Sequence, residues 1–292
     1  RKKIGFEKQL TQMKLRFFTD ISHELRTPLT LIEGPIEEVI EREKLSEEGK
    51  ENMQVAKRNT ERMLQLINQL LDFRKIQNNK MKLYIEQVDI VALARKIYEN
   101  FTAMAHQSEI DFSFVAPQEE VKVYTDVDKF EKIVFNLLSN AFKYTPKGKS
   151  ISLTVALLTD YVQIRVKDEG KGIDIGKLSK LFDRFETFGS ERSSVSTGIG
   201  LSLVRNLVDI MHGKIEVDTA LGQGSTFSVC LPLNAEVYHR DQNVEFILDD
   251  GTRNVQSETE GEEEGEAQKD ITVLVVEDNE ELRRFVVHIL QR

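Results

Sequence analysis

The sequence predicts a multi-domain chain: an all-α helical hairpin that becomes a four-helix bundle as a dimer, an α+β two-layer domain, an acidic linker, and the first part of an α/β domain. Three observations carry this. Apolar residues recur at three- or four-residue spacing up to about residue 80, the rhythm then changes to short β-like runs between helices, and a charged stretch containing EGEEEGE precedes the apolar run ITVLVV. The 292 residues, 40% hydrophobic, suggest about two domains of roughly 150 residues each.

The hairpin comes first, over residues 1–81. Phe6, Leu10, Met13, Phe17, Ile21, Leu25, Leu29, Ile32, Ile36 and Val39 trace a seam suited to coiled-coil packing. Pro28 and Pro35 interrupt it, and proline inside a helix removes a backbone hydrogen bond, so a bend is expected just after His23. After the polar stretch Arg42 to Gly49, a second seam runs through Met53, Ala56, Thr60, Met63, Ile67 and Leu70 and ends near Asn78 and Asn79. One hairpin leaves too much of its seam uncovered, whereas two copies cover it, so a homodimer is expected. At roughly 100° per residue His23 points about 200° away from Ile21 and Leu25, off the seam. A lone exposed histidine is usually just solvated, and only its context can say more.

Residues 82–235 read as the layer domain. Strands are expected over Lys82–Val88, near Ile110–Val115 and Val121–Tyr124, then over Ser150–Leu158 and Tyr161–Asp168 as a hairpin, and over Lys214–Thr219 and Ser225–Leu231. Helices are expected over Ile90–Ala105, Val127–Tyr144 and Ile199–His212. Residues 236–269, rich in charge and poor in apolar side chains, read as a flexible linker. Residues 270–292 supply one buried strand and one helix, which cannot close a core alone, so this domain is expected to continue past Arg292.

Composition narrows the function classes. The net charge of −9 argues against nucleic acid as a direct partner. A single cysteine, Cys230, excludes an internal disulfide framework. No apolar run reaches 18 residues and no signal peptide is recognisable, so no segment is expected to span a membrane. Arg1, Lys2, Lys3, Lys8, Lys14 and Arg16 make the start basic, which fits either a juxtamembrane helix or a solvated coiled-coil face.

Four polar features recur in the layer domain. Asn136, Asn140 and Lys143 share one helix face at i, i+4 and i+7; each alone would be ordinary surface, but together they suit a triphosphate with Mg²⁺, since amide oxygens ligate a hard cation and lysine neutralises phosphate. Asp168, Gly170 and Gly172 follow a strand, where a carboxylate can accept from an exocyclic amine and glycines let a ligand approach the backbone; an ordinary turn is the alternative. Thr197, Gly198, Ile199, Gly200 and Leu201 open a helix whose free N–H groups suit an anion. Leu221 to Phe227, LGQGSTF, is either a fourth ligand element or a hairpin turn. Each signal is weak, and their order within one domain is specific.

These motifs resemble those of bacterial sensor histidine kinases, over about Lys8 to Pro232. SHELRTPLT is similar to the family's phosphoacceptor box, with His23 at the phosphorylated position, and NLLSNAFKYTP to its N box. DEGKGI, TGIGLSLV and LGQGSTF resemble its three glycine boxes, and LFDRFETF its phenylalanine box. The resemblance implies the ATP-binding sandwich shared with gyrase, MutL and heat-shock chaperone ATPases, with ATP and Mg²⁺ as cofactors. It implies Asn136 and Asn140 sharing Mg²⁺ and phosphate, Lys143 on phosphate oxygens, Tyr144 flanking the nucleoside and Asp168 reading adenine. Gly170, Gly172, Ile173, the TGIGL residues and Thr226 would complete the site. Phe182 and Phe185 would pack under the stretch Thr187 to Thr197, although ordinary core phenylalanines remain an equal reading. Ser196 departs from the family, which often has glycine there.

The implied reaction is phosphoryl transfer from ATP to His23, with Glu24 as general base and Thr27 at the position that orients water when such proteins dephosphorylate a regulator. The trailing VLVVEDNEELRRF resembles the start of a receiver domain, with Glu277 and Asp278 at its acidic Mg²⁺ pair, and suggests a hybrid kinase. Partners are then a second copy of the chain and a receiver domain, on the same parent chain or a separate regulator. The fragment is expected to be cytoplasmic, its parent in the bacterial inner membrane through upstream segments. A zinc protease is disfavoured because HExxH needs histidine at position 27. A hydrolytic ATPase of the same fold carries glutamate where Asn136 stands. A non-catalytic dimerising scaffold would not need His23, Glu24, Asn136, Asn140 and Asp168 intact.

Overall fold

The computed structural model describes residues 25–26, 28–183, 198–239 and 241–247. They belong to two compact units, divided after Leu71. His23, Glu24, Thr27, the expected bend after His23, Phe185, Thr197, Glu277 and Asp278 lie outside the described residues.

The first unit is the helical hairpin. Helix α1 occupies residues 28–42 and continues through Pro35; helix α2 is Glu47–Gln77. Ser46 caps α2 by accepting from the Gly49 N–H at 3.1 Å, and Glu47 and Glu48 lie in the first turn, where the helix dipole favours negative charge. Leu29 and Ile67 are buried. Polar ties join the two helices: Lys57 Nζ lies 2.7 Å from Glu37 Oε1, and Arg26 donates to Asn68 Oδ1 at 2.6 Å. Leu25, Ile32, Val55 and Met63 stay exposed, a row of large apolar groups left uncovered within one chain.

The second unit begins with the last turns of α2, where Asp72 Oδ2 accepts from Lys132 Nζ at 2.8 Å. Its elements are β1 (Leu83–Asp89), α3 (Ile90–Ser108), β2 (Asp111–Val115), β3 (Lys122–Thr125), α4 (Val127–Tyr144), β4 (Ser150–Leu157), β5 (Tyr161–Asp168), α5 (Gly200–Ile210), β6 (Lys214–Ala220), β7 (Gly224–Pro232) and β8 (Val244–Phe246). The main sheet has the order β2-β4-β5-β7-β6, with β2 and β4 parallel and the other pairs antiparallel. Strict alternation buries Val162, Ile164, Val166 and Asp168 of β5 on one face, together with Ser225, Phe227, Val229 and Leu231 of β7. Helices α3, α4 and α5 supply Ile97, Phe101, Ile133, Leu137, Leu203 and Leu207 to the same core, so the unit is a two-layer sandwich.

One expectation is overturned. The flexible linker was placed from Glu236, but the fold continues to Ile247. Tyr238 is 1% exposed, its hydroxyl donates to the Met211 carbonyl at 3.1 Å, and β8 pairs in parallel with β1, Leu83 opposite Val244 and Ile85 opposite Phe246. The ladder is flanked by Leu83 N–H to Asn243 O and Ile247 N–H to Ile85 O, both 2.9 Å. The physical reason is that this segment borrows its order from a strand far back in the chain, and so needs few apolar residues of its own.

Candidate active site

Helix α4 is aimed by its N-cap. Asp126, 2% exposed, accepts from the Lys129 N–H at 3.0 Å through Oδ1 and from the Tyr84 N–H at 2.8 Å through Oδ2, which ties the helix start to β1. Its apolar stripe, Phe130, Ile133, Val134, Leu137, Leu138 and Ala141, is buried. Asn136 and Asn140 are half-buried and Lys143 is exposed. The Asn136 amide nitrogen donates to the Lys132 carbonyl at 2.7 Å, which turns Oδ1 toward the start of α5. A Cβ on Gly200 would stand 3.0 Å from that oxygen, so glycine leaves the gap between the amide and the helix open. Helix α5 has Ile199 at its N-cap position, which makes no side-chain cap bond, and the N–H groups of a helix's first turn have no partner within the helix itself.

Asp168 ends β5 on the helix-facing side of the sheet. Burial pushes its carboxyl above the ordinary carboxylate value of 3.8, while N–H bonds from Gly170, at 2.8 Å, and Ser225 pull the other way. The glycines of the following loop admit the protein's own backbone. A Cβ on Gly170 would lie 2.6 Å from the Tyr144 carbonyl oxygen, and one on Gly172, where φ is +65°, would lie 1.9 Å from the Ala220 carbonyl oxygen. The loop is braced against the β6–β7 turn: Gly222 N–H donates to Lys171 O at 2.7 Å. Thr219 Oγ1 accepts from Ile173 N–H at 3.0 Å and donates to Gly224 O at 2.9 Å.

The structure therefore brings Asn136 and Gly200 together, and joins Tyr144 to Gly170 and Asp168 to Gly170. Thr226 does not join them. It pairs with Lys167, one residue out of phase with Asp168, and the alternation sends it to the opposite face. Ser225, opposite Asp168 and 7% exposed, is the residue beside the carboxylate, with its hydroxyl 2.9 Å from Thr219 Oγ1. The signal was present in the sequence: Phe227, Val229 and Leu231 are the inward set, and Ser225 shares their parity. Thr219 gave no such signal. Phe182 is half-buried against the core, with the Arg205 guanidinium 5.3 Å from its ring centroid, and Leu201 packs on the same core. Among the described residues no helix is long and apolar enough to cross a membrane.

Two family models match the chain. Residues 13–79 match the His Kinase A (phospho-acceptor) domain, and residues 125–235 match the histidine kinase-, DNA gyrase B-, and HSP90-like ATPase. The chain belongs to the sensor histidine kinases. It is 33% identical to histidine kinase P4 of Formosa agariphila over 97% of this chain and 22% of that one. It is 32% identical to hybrid signal transduction histidine kinase D of Dictyostelium discoideum, over 82% of this chain and 16% of the relative. A crystal structure of full-length ShkA in complex with AMPPNP superposes with a TM-score of 0.63 at 26% identity, over 74% of this chain and 45% of that one. The chain thus spans less than a quarter of either of these two relatives.

Proposed function

We propose that this chain transfers the γ-phosphoryl group of ATP to an imidazole nitrogen of His23 and then passes it to an aspartate of a receiver domain. The observation that carries the reading is one chain holding a phospho-acceptor match around His23 and an ATPase-type unit in which Asn136 Oδ1 faces the glycine-opened start of α5. Neutral imidazole, with an unperturbed pKa near 6.5, needs little activation at pH 7. Glu24 holds the proton of the other ring nitrogen while the first bonds to phosphorus and the ADP oxygen leaves. The N–H groups opening α5 and the Lys143 ammonium hold phosphate oxygens, and Asp168 accepts from the adenine amine. The donor set fits Mg²⁺: Asn136 and Asn140 offer the neutral hard oxygens it takes beside phosphate, and the ion would spread the charge of the leaving ADP. Asparagine at 136 cannot act as a general base toward water, which favours transfer over hydrolysis. Thr27 would orient the water that hydrolyses the regulator's phosphoaspartate, a separate reaction that opposes the transfer.

The exposed row Leu25, Ile32, Val55 and Met63 supports a homodimer closed through the hairpin. The hybrid relative supports a receiver partner, with Glu277 and Asp278 as the start of its Mg²⁺ site. A membrane-bound parent chain completes the proposal. Incubation with γ-labelled ATP tests it. An acid-labile, base-stable label on wild type, absent from His23→Ala, is expected; label retained in the variant, or free phosphate without labelled protein, refutes it.

A further inference from the structure

Asp168 is the last residue of β5 to pair on both sides, with Ile151 of β4 and Ser225 of β7. The chain then enters a loop with glycine at 170 and 172, where backbone freedom is greatest. A short turn fixes the carboxylate: Asp168 Oδ1 accepts from the Gly170 N–H at 2.8 Å, so its direction depends on the backbone of the one residue between them, Glu169. Glu169 is exposed, where a glutamate side chain is ordinarily just solvated, yet it is held by main chain and side chain alike. Its N–H donates to the Ser150 carbonyl at 3.1 Å, and its Oε2 accepts from the Ser150 N–H at 3.0 Å. That N–H, then the Ser150 hydroxyl, with Lys149 and Lys167 adding to them, hold the carboxyl below the ordinary glutamate value of 4.5. Glu169 thus closes one further rung of the β4–β5 ladder, directly past the end of β5.

Resting on the ATP reading above, we propose that Glu169 is a positioning residue for Asp168, and through it sets the preference of the site for an adenine base. The rung holds the turn, the turn holds the carboxylate, and the carboxylate accepts from the exocyclic amine. Guanine presents a carbonyl oxygen in place of that amine, which leaves the buried carboxylate facing a second acceptor. Glu169 touches neither base nor phosphate in this assignment, so its loss is felt only where Asp168 is read.

The test is calorimetric titration of the full chain with ATP and GTP, with melting temperatures recorded alongside. The variants are Glu169→Ala, Glu169→Gln, Ser150→Ala, Asp168→Asn and the double change Asp168→Asn with Glu169→Ala. In Glu169→Ala, ATP binding is expected to weaken roughly fivefold, the size of an ordinary hydrogen bond, and GTP binding by less than about twofold. Glu169→Gln should keep the wild-type ranking, because an amide oxygen still accepts from the Ser150 N–H. Ser150→Ala, which removes only the hydroxyl, should narrow the ATP-to-GTP ratio in the same direction by less. In the Asp168→Asn background, adding Glu169→Ala should cost less than about twofold, since the two residues act as one unit. Unchanged ATP affinity in Glu169→Ala, an equal loss for GTP, or the full fivefold loss in the Asp168→Asn background overturns the assignment while leaving the nucleotide site standing. Wild type that binds neither nucleotide, or the two alike, overturns the adenine reading as well.

Discussion

Asp168 carries two demands that oppose each other. Burial favours its protonated form, whereas in the proposed nucleotide site the carboxylate is the stronger acceptor for an adenine amine. Because its folded pKa is raised, the stability it contributes is fully present below its unfolded value of 3.8 and is lost as pH rises through the folded value. Nucleotide affinity should move the other way, rising with pH across that window. Asp168→Asn should flatten this part of the stability profile, measured by urea unfolding between pH 4 and pH 7. It should also weaken ATP binding by roughly 10- to 150-fold, the worth of a hydrogen bond to a charged group. A steep, unchanged profile in the variant would assign the titration elsewhere. At this scale the sequence was informative about placement where motif spacing governs it: Asn136 Oδ1 does meet the start of α5 at Gly200, and Asp168 does end β5 on the buried face. It was uninformative where the role depends on strand phase: Thr226 and Ser225 are neighbours of similar chemistry, and only the pairing of β7 with β5 decides which one faces Asp168.

The elements were legible where their signal is local. Helix α4 declares itself by an apolar stripe at helical spacing, and its span matches the expectation, as does that of β5, while β4 ends at Leu157, one residue before the expected Leu158. The segment 235–247 was not legible, because β8 is three residues long and is ordered by a partner about 160 residues earlier. Tyr238 decides whether it is linker or structure. Tyr238→Ala should lower stability by about 3–5 kcal/mol, as for other buried aromatics, and Tyr238→Phe by about 1 kcal/mol through loss of the bond to Met211. A solvated linker would show changes within about 0.5 kcal/mol for either. Equilibrium denaturation of the second unit's transition separates the cases.

For the whole molecule, the hairpin's uncovered row makes assembly part of its stability. Ile32 and Met63 are both nearly half exposed in a single chain, and an ionised group at either would be buried at high cost in a bundle. Light scattering should therefore report a dimer for the wild-type chain and a monomer for Ile32→Glu; a dimer that survives that change and Met63→Glu places the interface elsewhere. The hairpin and the sandwich were readable at this scale because their periodicities differ, 3.6 against 2, and change near Met81. The extent of the sandwich was hidden, since β1 is closed by the late strand β8. That closure bears on how the module can be exchanged. The ATPase family match covers residues 125–235, yet nearly all of the β3-β1-β8 sheet, with the fully buried Leu83 and Ile85, lies outside it. A graft cut at residues 125 and 235 would leave that sheet out and bare the core it covers, so the portable unit runs from the last turns of α2 to Ile247.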